Sequence, residues 1–273
     1  MKLCLIACRV LWRELCRFAA DSPHDIHFRF LPQGLHLDPA RLRRELQTAL
    51  DQAEAEGFDR ILVGYGLCCL GTCGVKTQKT PWIIARAHDC ITFLLGSKER
   101  YQTYFTRHPA TYWFSPGWIE TGTQPSAKRL EQSYAYYRER FGEDNAGYLM
   151  EKLEGWVKDY RRAAYVDLGV GDREKYLAYT RRCVAELGWE LEVLSGDPRL
   201  LTSFLNGPWE ESEFLVVPPG RIIRPSGNEG IIIISEETDQ KEETSHAIQK
   251  DAGAGGVRVA AGSERLPGPD EGL

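Results

Sequence analysis

Hydrophobic residues in the first half of the chain form short continuous runs that are separated by longer amphipathic stretches. Three of these runs are Leu3–Ala7, Ile61–Val63 and Trp82–Ala85, and the last two are bounded by charged residues, Gly or Pro. Continuous apolar runs of this length are typical of strands that are buried on both faces of a parallel sheet. Another strand is expected at Ile26–Leu31. The first half therefore predicts an α/β arrangement.

The stretch after Asp38 has a clear helical pattern. Asp38 is a typical N-cap residue, and Pro39 is favoured in the first helical turn. Gly57 is expected to end this helix near Glu56. Its apolar positions recur every three or four residues, as one face of a helix requires; they are Leu42, Leu46, Ala49, Leu50 and Ala53. A shorter helix is predicted over about Val10–Ala19.

The second half repeats the alternation of short apolar runs and helical stretches. Helices are predicted over Lys128–Tyr160, with a break near Gly142, over Asp172–Gly188, and from Asp197 to Leu205. Strands are expected at Thr111–Phe114, Ala164–Asp167, Glu190–Leu194 and Phe214–Val217. With four strands in each half, the pattern predicts an α/β fold of two Rossmann-like lobes, with mainly parallel sheets and a ligand-binding cleft between them.

The chain is expected to divide into three segments. Residues 1–108 form the first lobe, and residues 109–235 form the second lobe with a closing hairpin. Residues 236–273 form a disordered tail, because they hold nine acidic and four basic residues, six glycines and no aromatic residue. Such a composition buries too little apolar surface to offset the loss of chain entropy on folding.

Charge and hydropathy exclude two classes of partner. The chain has 34 Lys and Arg against 39 Asp and Glu, a net charge of −5 that the tail alone accounts for. The remaining residues lack the basic surplus of a nucleic-acid binder. No apolar run approaches the ~20 residues of a membrane span, and Leu3–Cys8 is too short for a secretion signal. We expect a cytoplasmic protein without nucleic-acid or membrane partners.

Three of the eight cysteines follow predicted strands of the first lobe. Cys8 follows the first strand, Cys68 lies in the turn after Ile61–Val63, and Cys90 comes shortly after Trp82–Ala85. The carboxyl ends of parallel strands meet at one edge of a sheet, where ligands bind. Soft thiolates gathered there favour zinc or an iron–sulfur cluster. His88 is a candidate fourth ligand, and Asp89 is placed to orient a ligand residue.

The alternative is that each of these cysteines is simply a small buried hydrophobic residue, as free cysteines often are. We expect this for Cys4, Cys16 and Cys183, which lie within a strand or on helices. Cys69 and Cys73 fit neither a radical-SAM motif nor a plant ferredoxin pattern, because position 76 is Lys.

Gly64, Gly66 and Trp118 are candidate cofactor-binding residues. The sequence Gly64-Tyr65-Gly66 follows a strand, as a dinucleotide loop does, but its spacing departs from G-x-G-x-x-G. The glycines would either cradle a phosphate or let the backbone turn sharply and present Cys68. Trp118 and Glu120 follow the first strand of the second lobe and would either contact a ligand or pack between the lobes.

Several motifs together resemble one known family, the domain of unknown function 1638 family. They are Gly64-Tyr65-Gly66-Leu67-Cys68, Arg86 to Ser97, Tyr112 to Glu120, and Phe214 to Gly220, in matching order over about residues 3–220. The resemblance implies a role near corrinoid-dependent methyl transfer in the one-carbon metabolism of anaerobes, and it maps the family's cysteines onto Cys8, Cys68 and Cys90. This chain departs from the family pattern by carrying Cys69 and Cys73.

Three functions follow as hypotheses. The leading one is a metal-binding protein or enzyme in which Cys8, Cys68, Cys90 and His88 hold zinc or iron–sulfur, with a corrinoid, a corrinoid protein or a methyltransferase as partner. The second is a non-enzymatic bilobal module that binds a small anionic or tetrapyrrole-like ligand. The third is thiol catalysis without metal, with Cys68 or Cys90 as nucleophile and His88 as base. Metal content distinguishes the first from the others.

Overall fold

The computed structural model describes residues 1–235, so the predicted tail at 236–273 lies outside the described residues. The strands are β1 (Lys2–Cys8), β2 (Asp25–Leu31), β3 (Arg60–Gly64), β4 (Trp82–Ala85), β5 (Thr111–Phe114), β6 (Arg162–Asp167), β7 (Glu190–Ser195), β8 (Phe214–Val217), β9 (Ile222–Pro225) and β10 (Ile232–Ser235). Within these residues, no helix combines the length and the apolar character that crossing a bilayer requires.

The α-helices connect these strands. They are α1 (Trp12–Ala19), α2 (Pro39–Ala55), α3 (Ile91–Leu95), α4 (Lys98–Arg107), α5 (Pro116–Thr121), α6 (Ala127–Phe141), α7 (Glu143–Leu149), α8 (Arg173–Leu187) and α9 (Arg199–Asn206). Short 3-10 turns occupy Arg9–Leu11, Leu35–Leu37, Cys68–Leu70 and Gly155–Asp159, and a π-helical turn occupies Met150–Glu154.

The first sheet has the strand order β2-β1-β3-β4-β8, and its first four strands are parallel. In the register of β1 and β3, Ala7 lies opposite Gly64, and in that of β3 and β4, Val63 lies opposite Ile84. The carboxyl ends of β1, β3 and β4 therefore meet at one edge. Helix α2 covers the sheet with the predicted apolar face, and the Asp38 side chain caps it by accepting a hydrogen bond from the Arg41 backbone N–H (2.9 Å).

Strand β8 joins the first sheet instead of the second. It pairs antiparallel with β4, with Trp82 opposite Val217. The four strands predicted in each half of the chain are present. The expectation that they form two equal lobes is wrong, since the two large sheets of the described chain have five and three strands. Helix α9 leads the chain from the second sheet back to the first. Its residues Leu201 and Phe204 are fully buried in the core of the first sheet. The lobe boundaries at residues 108 and 235 stay predictions.

The second sheet contains β5, β6 and β7, all parallel. Its core is rich in aromatic residues around Tyr112, whose ring lies 5.9 Å from Trp156, 5.6 Å from Tyr160 and 5.7 Å from Trp189, measured between centroids. Parallel strands joined by helices in both large sheets confirm the predicted α/β, Rossmann-like class.

The segments that follow β1 and β5 touch each other. A Cβ atom added to Gly117, at the start of α5, would lie only 2.0 Å from the carbonyl oxygen of Val10, in the turn after β1. The two backbones are thus in direct contact at the place where a cleft between lobes is predicted. Trp118 packs from α5 against the core of the first sheet.

The predicted closing hairpin is present as β9 and β10, which pair antiparallel. Arg86, just after β4, fastens this hairpin and the preceding loop to the first sheet. Its guanidinium group donates hydrogen bonds to the carbonyl oxygens of Glu211 (2.6 Å), Gly230 (2.9 Å) and Ile232 (2.5 Å).

Candidate functional site

Three thiols come together at the carboxyl edge of the first sheet. Cys8 is the last residue of β1, Cys68 lies in the loop after β3, and Cys90 lies in the loop after β4. These three residues are only 5%, 8% and 9% exposed to solvent, respectively. Each of the three is close enough to at least one of the others for their charges to interact. The predicted convergence of these residues on one edge is thus present.

A close backbone contact brings the loops of Cys68 and Cys90 together. The Leu67 N–H donates to the Ala87 carbonyl (2.8 Å), and the Cys68 N–H donates to the His88 carbonyl (3.0 Å). A Cβ atom on Gly66 would lie 2.7 Å from the Ala87 oxygen and 2.7 Å from the Asp89 nitrogen. Only glycine fits at this position without moving one of the loops.

The turn that carries Cys68 has a strained backbone. Cys68, Cys69 and Leu70 have φ angles of 45°, 53° and 68°, all in the left-handed region that non-glycine residues rarely adopt. Each such residue costs about 1–3 kcal/mol, and such strain concentrates at ligand sites and switches. The Thr72 hydroxyl helps to hold the turn by donating to the Gly66 carbonyl (3.1 Å).

The thiols are held in their protonated form. Burial raises the pKa of Cys8 to about 11, although the Val10 backbone and the Tyr65 side chain act in the opposite direction. Burial raises the pKa of Cys68 and of Cys90 well above the ordinary range, and a negative charge on Cys8 would raise both further. The thiols therefore oppose one another's ionisation as long as no positive charge lies between them.

Tyr65 places a hydroxyl group in this cluster. Its residue is 2% exposed, and charges on Cys8, Cys68 and Cys90 all raise the pKa of its hydroxyl, after the larger effect of burial. The hydroxyl lies beside the Cys8 thiol, with which it makes its one hydrogen-bonding interaction within residues 1–235. A buried hydroxyl group therefore lies beside the three thiols.

A carboxyl group closes the cluster on the side of α4. The Tyr101 hydroxyl donates to Asp89 Oδ2 (2.8 Å), and the Ile91 N–H donates to Asp89 Oδ1 (2.9 Å). Burial raises the pKa of Asp89 despite these hydrogen bonds. Asp89 is also close enough to Cys68 and Cys90 for its charge to raise the pKa of both thiols.

The other candidate residues lie around this cluster. The His88 side chain is exposed, and its ring lies 6.1 Å from that of Tyr101, so it is not buried with the thiols. The Trp118 indole N–H approaches the Tyr112 hydroxyl at 3.5 Å, which makes it part of the packing between the sheets. Gly64 allows β1 and β3 to approach, because a Cβ there would lie 2.6 Å from Ala7 Cβ.

The remaining cysteines take positions of two kinds. Cys4 and Cys183 are buried in the two cores, as expected, whereas Cys16 on α1 is exposed, which the expectation of burial missed. Cys69 is exposed and Cys73 is partly buried. Across residues 1–235, no three or more His, Cys, Asp and Glu side chains are placed so that together they could hold a metal ion.

Two residues of the cluster are absent from the sequence-based site. Tyr65 stands between the two glycines that the sequence singles out, and that spacing is the signal that could reveal it. Tyr101 has no such signal, because it reaches the cluster from α4, and no pattern predicts this helix.

Comparison with known proteins agrees with the resemblance found in the sequence. The pattern of the family described as protein of unknown function (DUF1638) matches residues 30–205, which is more than half of the 273 residues. The chain belongs to the DUF1638 family. Cys68, Cys90 and His88 lie inside the range matched by DUF1638, and Cys8 precedes it. No curated protein and no solved structure matches the chain.

Proposed function

We propose that this protein binds a thiophilic metal, either zinc or the iron of an iron–sulfur cluster, through Cys8, Cys68 and Cys90. The observation that carries this proposal is the meeting of three buried thiols with the buried hydroxyl group of Tyr65 at one sheet edge. Ligand sites of open parallel sheets lie at this edge. The donor set is soft, and soft thiolates select zinc and iron–sulfur clusters over hard cations.

The electrostatics of the cluster support this choice. In the described chain the thiols are protonated, because burial and their mutual repulsion raise the pKa of each one. A divalent cation reverses this situation, since it deprotonates a coordinating thiol outright. The same burial that keeps the free thiols neutral would then strengthen the attraction between thiolates and metal.

Three protein ligands leave one position for a substrate. Catalytic zinc sites commonly have three protein ligands and an open fourth position, whereas structural sites have four. The exposed His88 is not placed among the thiols, whereas the Tyr65 hydroxyl and Asp89 are polar groups beside them. Tyr65 would donate a hydrogen bond to the occupant of that position, and Asp89 would receive a proton near it.

We extend the proposal to methyl-transfer chemistry of one-carbon metabolism, as the family resemblance implies. A bound metal would keep a sulfur deprotonated at neutral pH, and a thiolate is the nucleophilic form of sulfur. The substrate and the partner, including a corrinoid or a corrinoid protein, are part of this proposal.

Metal analysis of the anaerobically purified protein tests the proposal. We expect about one zinc, or iron with its sulfide-linked visible absorption, per chain. In Cys68→Ser the metal content should fall by about tenfold or more, because a hydroxyl is a hard, weakly acidic ligand that does not replace a thiolate.

The matched control is Cys183→Ser, which makes the same change at a buried cysteine of α8 in the core of the second sheet. Both variants bury a hydroxyl and should lose about 1–3 kcal/mol of stability. Only Cys68→Ser should lose metal. Equal metal content in all three proteins, or none in any of them, would instead favour a binding module or a metal-free thiol site.

A further inference from the structure

Glu14 has a buried carboxyl group without a partner. It lies on α1, its residue is 1% exposed, and within residues 1–235 neither carboxyl oxygen reaches a hydrogen-bond partner. A carboxylate that is buried in this way loses its hydration without compensation. Its protonated form is neutral and avoids most of that cost, so this position favours a bound proton.

The carboxyl group lies in the contact between the two sheets. If Gly117 of α5 carried a Cβ atom, that atom would lie 3.4 Å from Glu14 Oε2 and 2.0 Å from the Val10 carbonyl oxygen. Glu14, the turn Arg9–Leu11 and the start of α5 are therefore packed together. The same turn begins directly after Cys8, which connects this contact to the thiol cluster.

The ionisable groups around Glu14 do not neutralise it. Arg13 is already engaged by Glu120 of α5, through Nε to Oε2 (2.9 Å) and Nη2 to Oε1 (2.7 Å), and Tyr176 of α8 donates a hydrogen bond to the same carboxylate. Tyr165 of β6 is a further ionisable group whose charge interacts with Glu14.

Two further segments packed against α1 add no counter-charge. Arg199 of α9 is paired with Glu213. Arg9, in the turn before α1, is exposed. A negative charge on Glu14 would therefore face the Glu120 carboxylate without a cation of its own.

The proton equilibrium of Glu14 falls close to neutrality. Burial raises the pKa of Glu14 from 4.5 to about 7, and Glu120 raises it further, while the backbone of Glu14 and Arg13 act in the opposite direction. A modest change of pH around neutrality thus changes the charge inside the contact between the sheets.

We propose that Glu14 is a proton-controlled latch. When its carboxyl group is protonated, the turn Arg9–Leu11 stays packed on α5 and the three thiols stay buried. When it loses the proton, the charge needs water, the contact opens, and a ligand gains access to Cys8. Access requires such an opening, because the three thiol residues are at most 9% exposed in the packed state.

The sign and the size of the effect follow from the two pKa values. A carboxyl whose pKa is raised in the packed state stabilises that state fully below its free value of 4.5, and this stabilisation is lost as the pH rises to about 7. If the open state restores the free value, opening becomes easier by at most about 300-fold, and the effect levels off above about pH 7.

Glu14→Gln and Glu14→Met remove the ionisation, and Glu139→Gln makes the same charge change at an exposed site on α6. Melting temperatures should fall from pH 4.5 to about 7 in the wild type and in Glu139→Gln, relative to both Glu14 variants. Glu14→Met buries no amide group, so it replaces Glu14→Gln in this comparison if Glu14→Gln folds poorly.

Labelling of the metal-free protein with N-ethylmaleimide, followed by mass spectrometry of each cysteine, measures access directly. At pH 8 we expect Cys8 to react at least about tenfold more slowly in the Glu14 variants than in the wild type. The exposed Cys69 should react equally in all of them.

The latch would be overturned if the melting temperatures of the wild type and of both Glu14 variants changed with pH in the same way. Equal labelling rates of Cys8 in these three proteins would also overturn it. The inference rests on the proposed function only because it concerns access to the same thiols. Neither measurement needs bound metal, so failure of the latch and failure of the metal proposal give different results.

Discussion

Gly66 shows how one residue sets the geometry of the thiol cluster. Because the loops after β3 and β4 pass within backbone contact at this residue, any side chain would push Cys68 away from Cys90. We predict that Gly66→Ala lowers the free energy of unfolding by about 1–3 kcal/mol. It should also weaken metal binding, as measured by urea denaturation and by metal titration.

Gly147→Ala is the matched control. Gly147 is exposed in α7, and a Cβ atom there would meet nothing within 4 Å. This replacement should stabilise the protein by about 0.5–1 kcal/mol, because alanine favours a helix over glycine. If Gly66→Ala bound metal as tightly as Gly147→Ala, the loop contact would have no part in the site.

At the residue scale, the sequence predicts the thiols better than their surroundings. Cys8, Cys68 and Cys90 follow short apolar runs, and the rule that parallel strand ends share an edge is enough to gather them. The pairing of Asp89 with Tyr101 depends on where α4 packs, which is a tertiary property. The left-handed turn at Cys68–Leu70 is also invisible in the sequence, because cysteine and leucine do not favour that conformation.

At the element scale, Arg86 holds the closing hairpin. Its guanidinium group donates hydrogen bonds to three backbone carbonyl oxygens, those of Glu211, Gly230 and Ile232. We predict that Arg86→Leu lowers the free energy of unfolding by about 2–4 kcal/mol, since hydrogen bonds to charged groups are worth about 1.5–3 kcal/mol each and partly compensate one another's loss. Urea denaturation measures this change.

Arg44→Leu provides the comparison, because Arg44 is exposed on α2. Its replacement should change stability by no more than about 0.5 kcal/mol, as surface substitutions usually do. A similar small effect in Arg86→Leu would show that the hairpin is held mainly by its apolar residues.

The elements differ in how far the sequence predicts them. Strands β5 and β8 have the predicted limits, and α2 has the predicted cap and apolar face. The pairing of β8 is not predictable from its residues, because an apolar run does not encode strand direction or partner. Helix α3 escapes prediction for a related reason: Ile91–Leu95 is a short, fully buried segment, and periodicity does not distinguish such a helix from a strand.

At the scale of the whole molecule, the alternation of strands and helices is enough to predict the class of fold. It is not enough to divide the chain, because the segment after Gly196 returns to the first sheet and adds β8 to it. The contact of Val10 with Gly117 then places the ends of β1 and β5 against each other. Because the turn that contains Val10 begins directly after Cys8, this contact connects the proposed latch at Glu14 to the thiol cluster.

The central claim is that three thiols from three strand ends bind one metal site. X-ray absorption at the edge of the metal that the anaerobically purified protein carries tests it most directly. We predict about three sulfur neighbours at about 2.3 Å, with any further neighbour being a lighter atom or cluster sulfide. A metal surrounded only by nitrogen and oxygen at about 2.0–2.2 Å, or a protein that carries no metal, would contradict the account.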